Sequence, residues 1–410
     1  MSLTSTLRIA WRNLGRNRRR TALALSAIAV AELVLVLYEG LLAGYGDQLV
    51  QSVTGPLVGH AQVHAPKWRE DRAMDRFLPN ADAQLQAIRE VPGVANVKAR
   101  IYAPSLVARG DDGEAAIVVG VDFAAEQARG MLDGLSLGKP PGRYEVVLGA
   151  LAAESLGARP GDQLALVGQA SDGAVAAELV TVVGIVDTTV DLVNRLGVLM
   201  RLEDARELFA LPGAAHELVV VGADPQKAAE LATRIAALDA LKGSEVLPWK
   251  KLSPEFAALI EYMWAYEYFI LLLVFIASAA GAANTMMMAT FERTREFGML
   301  LGLGMKPRRI VGLVVTEGLL LGLIGLVVGG AVGAALVIYL SRAGLDLSGL
   351  TGDTGKSISF IGMKTSMVVY TKLSLGGLVR SAIAVMVTSL LAALWPAARA
   401  ARLQPVEAMR

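Results

Sequence analysis

The sequence predicts a membrane protein with four transmembrane helices and a large α+β extracytoplasmic domain inserted between the first and second helices. Four apolar segments run near or beyond the ~20 residues that a helix needs to cross a hydrocarbon core, namely Thr21–Leu42, Tyr268–Met288, Ile310–Leu340 and Leu373–Ala397. Between the first two lie about 220 residues with the composition of a soluble protein. The mean hydropathy of +0.49 is therefore the average of a membrane part and a soluble part.

The distribution of basic residues predicts the side of the membrane that each segment occupies. Residues 1–20 contain six arginines and no acidic residue, and the link 291–309 contains five basic residues against two acidic ones. The longer link 341–372 contains only four basic residues. Because basic residues are enriched in cytoplasmic segments, we expect both termini and the link 291–309 in the cytoplasm. The totals of 39 basic and 38 acidic residues give no indication of a nucleic-acid partner.

The chain begins with a basic amphipathic segment, residues 1–20, which precedes the first transmembrane helix, residues 21–45. In the first segment apolar side chains can face lipid while the arginines contact phosphate groups. The apolar run of about 22 residues is longer than a signal-peptide core, and Leu42-Ala43-Gly44 is a poor cleavage site. We therefore expect an uncleaved anchor.

Residues 46–252 are predicted to form the α+β domain. Alternating apolar and polar residues indicate strands, and a period near 3.6 indicates helices. The predicted strands are Gly59–Ala65, Val94–Ala108, Ala115–Val121, Glu145–Leu148, Gln163–Val167, Leu179–Val186, Glu217–Val221 and Glu245–Leu247, and the predicted helices are Ala81–Glu90, Leu151–Leu156, Leu202–Phe209 and Gln226–Leu238. We expect one α+β layer with a β-rich module, about residues 122–200, inserted into it. Without cysteine the domain cannot depend on disulfides.

A stalk and the second transmembrane helix are predicted over residues 253–290 as one continuous rod, because Ser253-Pro254-Glu255 supplies a cap, a first-turn proline and an acidic residue. The other predicted segments are a cytoplasmic coupling helix at 291–309, the third transmembrane helix at 310–340, a short extracytoplasmic loop at 341–372, the fourth transmembrane helix at 373–398 and a cytoplasmic tail at 399–410.

Two patterns resemble ligand sites without completing one. Gly355-Lys356-Ser357 is similar to the end of a phosphate-binding loop, but Leu350 stands where that loop needs a glycine. We expect a plain turn there and no ATPase site in this chain. His60 and His64 share a face of a predicted strand, either as a metal pair or at a solvent-facing edge. With no third ligand nearby we expect no metal, and no catalytic triad can be nominated.

Charged residues within the apolar segments indicate special packing. Glu32 lies roughly 18 Å past Arg20 along a helix, where an ionised carboxylate costs on the order of 2.5–3.5 kcal/mol. It therefore either hydrogen-bonds within the helix packing or lines a cavity. Glu317 lies roughly 11 Å past Ile310. Glu39 and Arg380 are expected near the outer boundary, where long side chains can reach the interface.

The third apolar segment is rich in glycine at a spacing of four residues. That spacing lets helices approach closely, either within the chain or against a second copy. The predicted helix-packing residues are Gly318, Gly322, Gly325, Gly329 and Gly333.

The link between the second and third apolar segments contains a short amphipathic helix, predicted over Phe291–Leu301. Phe297, Leu300, Leu301 and Leu303 are expected to form its apolar side. The helix is either an interfacial connector or a knob that inserts into a groove of a soluble partner. Its candidate coupling residues are Glu292, Arg293, Arg295, Glu296, Phe297 and Gly298.

This link resembles a known family. Phe291-Glu292-Arg293-Thr294-Arg295-Glu296-Phe297-Gly298 with Leu301-Gly302-Leu303-Gly304 is similar to the coupling-helix motif of the MacB/LolC/LolE/FtsX permease superfamily of ABC transporters. The start Ile9-Ala10-Trp11-Arg12-Asn13-Leu14 and the C-terminus from Pro396 to Arg410 resemble the same family. The layout is most similar to lipoprotein-releasing LolC/LolE chains.

The resemblance implies a permease subunit of a mechanotransmission-type transporter in the bacterial inner membrane, with its large domain in the periplasm. Its implied partners are a cytoplasmic ABC ATPase dimer that binds ATP and Mg²⁺, a second permease chain (identical or paralogous), the lipid membrane, and a periplasmic chaperone or adaptor. No cofactor is expected in this chain. The first two transmembrane helices would line a cavity, with candidates Glu32, Tyr38, Glu39, Met263 and Tyr266.

Three functions remain open from the sequence. The first is extraction of lipoproteins or other amphipathic substrates from the outer leaflet of the inner membrane. The second is MacB-like efflux with a periplasmic adaptor, and the third is a relay of ATPase strokes to a periplasmic enzyme. A membrane-embedded enzyme is the least favoured, because no catalytic arrangement is present.

Overall fold

The computed structural model describes residues 3–16, 18–110, 112–127, 130–132, 140–350, 357–360 and 363–402. Gly138-Lys139, Gly355-Lys356 and the tail from Leu403 onward lie outside the described residues. The chain divides into two compact units. The first comprises Met1–Asp47, Leu259–Leu347 and Val368–Arg410, and the second comprises Gln48–Ala258 and Ser348–Met367.

The helices of the described residues are numbered in chain order. They are α1 (Leu3–Arg16), α2 (Arg18–Val53), α3 (Trp68–Asp71), α4 (Ala81–Arg89), α5 (Phe123–Gln127), α6 (Ala150–Ser155), α7 (Asp191–Leu196), α8 (Leu202–Leu208), α9 (Ala228–Ala236), α10 (Trp249–Leu252), α11 (Pro254–Glu292), α12 (Thr294–Gly302), α13 (Pro307–Ala343) and α14 (Leu375–Ala401).

The strands are numbered in the same way. They are β1 (Ala61–His64), β2 (Val94–Arg109), β3 (Asp112–Val121), β4 (Glu145–Gly149), β5 (Gln163–Gln169), β6 (Val175–Val186), β7 (Gly197–Arg201), β8 (Glu217–Gly222), β9 (Glu245–Pro248), β10 (Leu345–Asp346), β11 (Ser357–Phe360), β12 (Met363–Ser366) and β13 (Val368–Val369).

Four helices of the described residues, α2, α11, α13 and α14, are long and apolar enough to cross a membrane. The α+β domain lies between the first two of these in the chain, so the predicted fold class is confirmed. Helix α11 is continuous over 39 residues, which corresponds to roughly 58 Å at 1.5 Å per residue. That length exceeds a hydrocarbon core of ~30 Å, so α11 is longer than a transmembrane segment requires.

Helix α13 packs closely on two neighbours through its glycines. A Cβ at Gly318 would lie 2.7 Å from the Cβ of Ala393 on α14, and one at Gly322 would lie 2.5 Å from Ser389 Oγ. Gly325, Gly329 and Gly333 instead face α2, where a Cβ at Gly329 would lie 2.2 Å from the Ala29 carbonyl oxygen. The glycine stripe therefore serves contacts within this chain.

The second unit is built on one nine-stranded sheet with the order β3-β7-β4-β6-β5-β2-β8-β1-β9. Strand β2 also pairs with β3 along Arg100–Arg109 and with β5 along Ser105–Ala108, so six strands form a closed ring. The first part of β2, Val94–Arg100, pairs with β8 outside the ring. The β-rich module expected at about 122–200 therefore begins earlier than predicted, because the ring includes β3 and the second half of β2.

Several short elements were not predicted. Helix α7 and strand β7 form where no element was expected, and the link 341–372 contains β10, β11, β12 and β13. The prediction of a solvent-facing histidine edge was also wrong. Strand β1 lies between β8 and β9, so His60 and His64 are buried. No group of metal ligands occurs among the described residues.

The buried His216 makes the stability of this unit dependent on pH. Its Nδ1 accepts a hydrogen bond from the Tyr102 amide at 3.0 Å, and its ring stacks on Trp68 at 5.6 Å. Burial lowers the pKa of His216 to about 4. Between pH 6.5, the usual histidine pKa, and pH 4, the His216 side chain binds a proton in the unfolded chain but not in the folded domain. The free energy of unfolding therefore falls as pH falls.

We expect His216 to account for about 3 kcal/mol of lost unfolding free energy between pH 7.5 and pH 4. Chemical unfolding of the full chain at both values, compared with His216→Gln, measures this contribution. The His216→Gln variant should be less stable than the unmodified chain at pH 7.5, but its free energy of unfolding should fall less between pH 7.5 and pH 4. An equal loss in both proteins would contradict the assignment.

Candidate functional site

The candidate site is the short helix α12 at the link between two membrane-spanning helices. Helix α11 continues to Glu292, Arg293 leaves helical geometry with φ −100° and ψ 9°, and α12 begins at Thr294. The predicted start at Phe291 was therefore wrong, because Phe291 and Glu292 belong to α11. Gly304, with φ +87°, follows the helix end and turns the chain toward α13.

Helix α12 is held by the side chain of Phe297. This ring is 1% exposed and packs in an apolar cluster formed by Ala10, Met286, Ile310, Leu313, Val314, Ala393, Ala397 and Ala400. The Arg293 guanidinium lies 5.0 Å from the ring centroid. Gly298 is buried beside it. Phe297 and Gly298 thus anchor α12 within the chain and do not face a partner in this conformation.

An ion-pair network fixes the start of α12 to two other helices. Arg293 Nη1 donates to both carboxylate oxygens of Glu317 on α13, at 2.8 and 2.9 Å, and Arg293 Nε donates to Glu296 at 3.2 Å. From α1, Asn13 donates to Glu317 and Arg16 donates to Glu296. The hydrogen bond from Arg16 is the main cause that lowers the pKa of Glu296, so this carboxylate is ionised at neutral pH.

A cavity of about 330 Å³ lies beside this network. Arg16, Arg293, Glu292 and Glu317 contribute charges to its wall, and Thr21, Thr285 and Thr290 contribute hydroxyl groups. The network and the cavity together connect α1, α11, α12 and α13.

The opposite surface of α12 is exposed. Arg295 is exposed, Met299 is 48% exposed and Leu303, just after the helix, is 85% exposed. The prediction that Leu303 lies on the same side as Phe297 was therefore wrong. A positive charge and two apolar side chains form the surface that a partner could contact.

The predicted cavity residues differ in burial and in their contacts. Glu32 is 2% exposed and accepts a hydrogen bond from Ser381 Oγ at 3.0 Å, and Gly329 and Gly330 of α13 also contact it. Its position is that of a hydrogen-bonded packing residue, the first of the two expected alternatives, and the cavity role stays a prediction. Tyr38 and Met263 are half-buried, and Tyr266 is exposed on α11.

Glu39 belongs to an interhelical ion cluster. Arg380 of α14 pairs with Glu39 of α2 and lies 3.0 Å from Glu267 Oε1 of α11. The Glu39 side chain is buried among these helices, and its expected place near the outer membrane boundary stays a prediction. This cluster ties three membrane-spanning helices.

Comparison with known proteins identifies the family. The MacB-like periplasmic core domain matches residues 21–238, and the FtsX-like permease C-terminal domain matches residues 268–405. The chain belongs to the MacB/FtsX superfamily of ABC transporter permeases. The two matches follow each other in the order that the structure shows, with the domain first and α12 in the C-terminal part.

Relatives of known name share part of this permease. The lipoprotein-releasing system transmembrane protein LolC of Neisseria meningitidis serogroup B is 26% identical over 277 residues, which cover 66% of each chain. LolC of Xylella fastidiosa is 25% identical over 285 residues, covering 66% of this chain and 65% of LolC. The match thus spans just under two thirds of these relatives. The periplasmic region of MacB from Actinobacillus actinomycetemcomitans matches 48% of this chain and 92% of its own at 10% identity, with a TM-score of 0.34.

Sequence reasoning missed the contacts that α1 of the permease makes with the α12 region. The first twenty residues suggested a lipid-facing helix, yet Ala10 packs beside Phe297, and Asn13 and Arg16 bond to Glu317 and Glu296. The available signal was Glu317, an acidic residue inside an apolar segment that required a partner.

Proposed function

We propose that this chain is the membrane subunit of an ABC transporter that relays ATP hydrolysis from a separate cytoplasmic ATPase to its periplasmic domain. The observation that carries the proposal is α12, which is anchored by Phe297 and the Arg293–Glu317 pair while it presents Arg295, Met299 and Leu303 outward. A firmly held helix with an exposed surface can transmit a displacement of its partner. The chain itself supplies no catalytic group in this proposal.

The orientation follows from the charge distribution. Both termini and α12 would be cytoplasmic, and the residues between α2 and α11 would be periplasmic in a bacterial inner membrane. A second permease chain, identical or paralogous, would complete the transporter. Helix α11 supports this, because its apolar side chains Tyr262, Tyr266, Tyr268 and Phe269 are exposed in the single chain.

The proposed substrates are lipoproteins in the outer leaflet of the inner membrane. The similarity to LolC proteins of lipoprotein-releasing systems supports this class over efflux or an enzyme relay. A periplasmic chaperone would then receive the released lipoprotein.

The test is association with a co-expressed ABC ATPase. We expect Arg295→Glu combined with Met299→Asp to reduce recovery of the ATPase in pull-down by at least roughly tenfold, because it reverses a charge and inserts another at the contact. Both side chains lie away from the Phe297 cluster, so the variant should fold. Arg89→Glu, a charge reversal at an exposed position of α4, is the matched control and should retain the ATPase. Full recovery with the α12 variant would refute the docking role.

A further inference from the structure

The second unit buries four charged side chains at the place where α2 enters it. Lys98 and Arg100 lie on β2, Glu126 lies on α5 and Glu217 lies on β8, and none is more than 4% exposed. Two cations and two carboxylates balance in charge. Burying such a set has a large desolvation cost unless every group is paired and hydrogen-bonded, so the positions of the donors are informative.

The shortest hydrogen bonds of Arg100 go to two kinds of acceptor, and its Nη1 also lies 3.5 Å from the Tyr102 hydroxyl and from Glu217 Oε1. Its Nε and Nη2 donate to Oε1 and Oε2 of Glu126 at 2.6 and 2.9 Å. Its Nη1 and Nη2 also donate to the backbone carbonyl groups of Leu57 and Pro56, each at 2.8 Å. Glu126 neutralises the charge of Arg100. The two hydrogen bonds to carbonyl groups are therefore not needed for charge balance and serve another purpose.

The two carbonyl groups belong to the turn that ends the α2 segment. Helix α2 continues beyond Val53 into one π-helical turn, Thr54–Val58, and Gly59, with φ +68°, then redirects the chain into β1. The last carbonyl groups of a helix have no partner within it, and a cation there also interacts favourably with the helix dipole. Arg100 supplies both the hydrogen bonds and the charge.

The guanidinium group is suited to this arrangement. It is planar and presents five donors in a fixed fork, so it can bind a carboxylate and two carbonyl groups at once. Lysine offers one compact ammonium group and cannot reach all of these acceptors together. Lys98, whose Nζ lies 3.6 Å from Glu126 Oε2, adds charge but does not replace the fork.

We propose that Arg100 is a positioning residue that fastens the last turn of α2 to the sheet, so that this turn and β2 move as one body. The inference deepens the proposed function, because a relay through α2 requires a rigid joint at this point. The joint itself can be tested without an ATPase or a substrate, so the failure of one proposal is distinguishable from the failure of the other.

The experiment measures the distance between spin labels in the full chain in nanodiscs. The chain has no cysteine, so cysteines at the exposed Gln51 on α2 and Gln169 on β5 can be labelled without background. We expect Arg100→Lys to broaden the distance distribution by roughly twofold, because the carbonyl bonds are lost while the charge remains.

Two variants separate the clamp from general stability. Arg109→Lys changes an arginine of the same strand that bonds the Gly157 carbonyl at 2.6 Å, away from the stalk, and should leave the distribution narrow. Glu126→Gln disturbs the buried ion pair but keeps Arg100, and it should also leave the distribution narrow. Broadening in Glu126→Gln equal to that in Arg100→Lys, or a narrow distribution in folded Arg100→Lys, would overturn the proposal.

Hydrogen exchange in the unmodified chain tests the same joint if Arg100→Lys does not fold. If Arg100 fastens the turn to the sheet, the exchangeable amides of Thr54–Val58 should be as protected as those of β2. Both sets should then exchange in one common unfolding event. Faster exchange of the turn through a local opening, while β2 stays protected, would overturn the proposal.

Discussion

Replacing Arg293 by methionine is expected to destabilise the membrane unit by about 3–5 kcal/mol, because it leaves the carboxylate of Glu317 without its cation. Both side chains are less than one fifth exposed, and Arg293 contacts both carboxylate oxygens. Asn13 would still donate one hydrogen bond but no charge. Unfolding by denaturant in detergent micelles measures the effect, and α12 should lose its attachment to α13.

Two further variants make the prediction specific. The double variant Arg293→Met, Glu317→Leu should recover much of the loss, because an apolar pair can replace a buried ion pair. Arg16→Met removes the exposed partner of Glu296, which keeps Arg293, and should lower stability far less than Arg293→Met, because solvent screens an exposed ion pair. If Arg16→Met and Arg293→Met lower the free energy of unfolding equally, burial does not explain the contribution of the Arg293–Glu317 pair to stability.

Replacing Gly329 by alanine should cost about 1–3 kcal/mol through overpacking. The new Cβ would lie 2.2 Å from the carbonyl oxygen of Ala29. Because that atom belongs to the backbone of α2, the two helices must move apart, and the contacts of Gly325 and Gly333 with α2 would weaken with them. The midpoint of thermal unfolding in micelles provides the measurement.

Gly312→Ala is the control on the same helix. No atom lies within 4 Å of a Cβ at this position, and alanine has the higher helix propensity by roughly 1 kcal/mol. We expect unchanged or slightly raised stability. Equal destabilisation at both sites would show that the glycines of α13 act through helix flexibility and not through close approach.

Much of the fold could be predicted because hydropathy and alternation are local signals. The four spanning helices follow from their length, and the long strand β2 follows from its alternating pattern. Helix α7 and strand β7 were missed because they are only six and five residues long and form where β3 and β4 offer pairing edges. Ring closure depends on contacts between β2 and strands far along the chain, which no local pattern encodes.

The site was predictable in position but not in orientation. The motif around Phe297 predicted a short helix between two spans, yet the predicted apolar side wrongly included Leu303, which is 85% exposed. Tertiary packing decides this, because Ala10, Ala393 and Ala397 leave room for one aromatic ring. Likewise, Glu32 required some partner, and only the fold shows that the partner is Ser381.

The closed ring of six strands also limits aggregation. A closed ring has no unpaired edge strand to which a strand of another polypeptide could add. The part of the sheet outside the ring does have an edge strand, β9. That strand is only four residues long, ends in Pro248 and is flanked by the exposed Lys242, Lys250 and Lys251. Short length, proline and lysine all discourage strand addition between molecules. Two copies of this domain that lie side by side in the membrane therefore have little free strand edge through which their sheets could join.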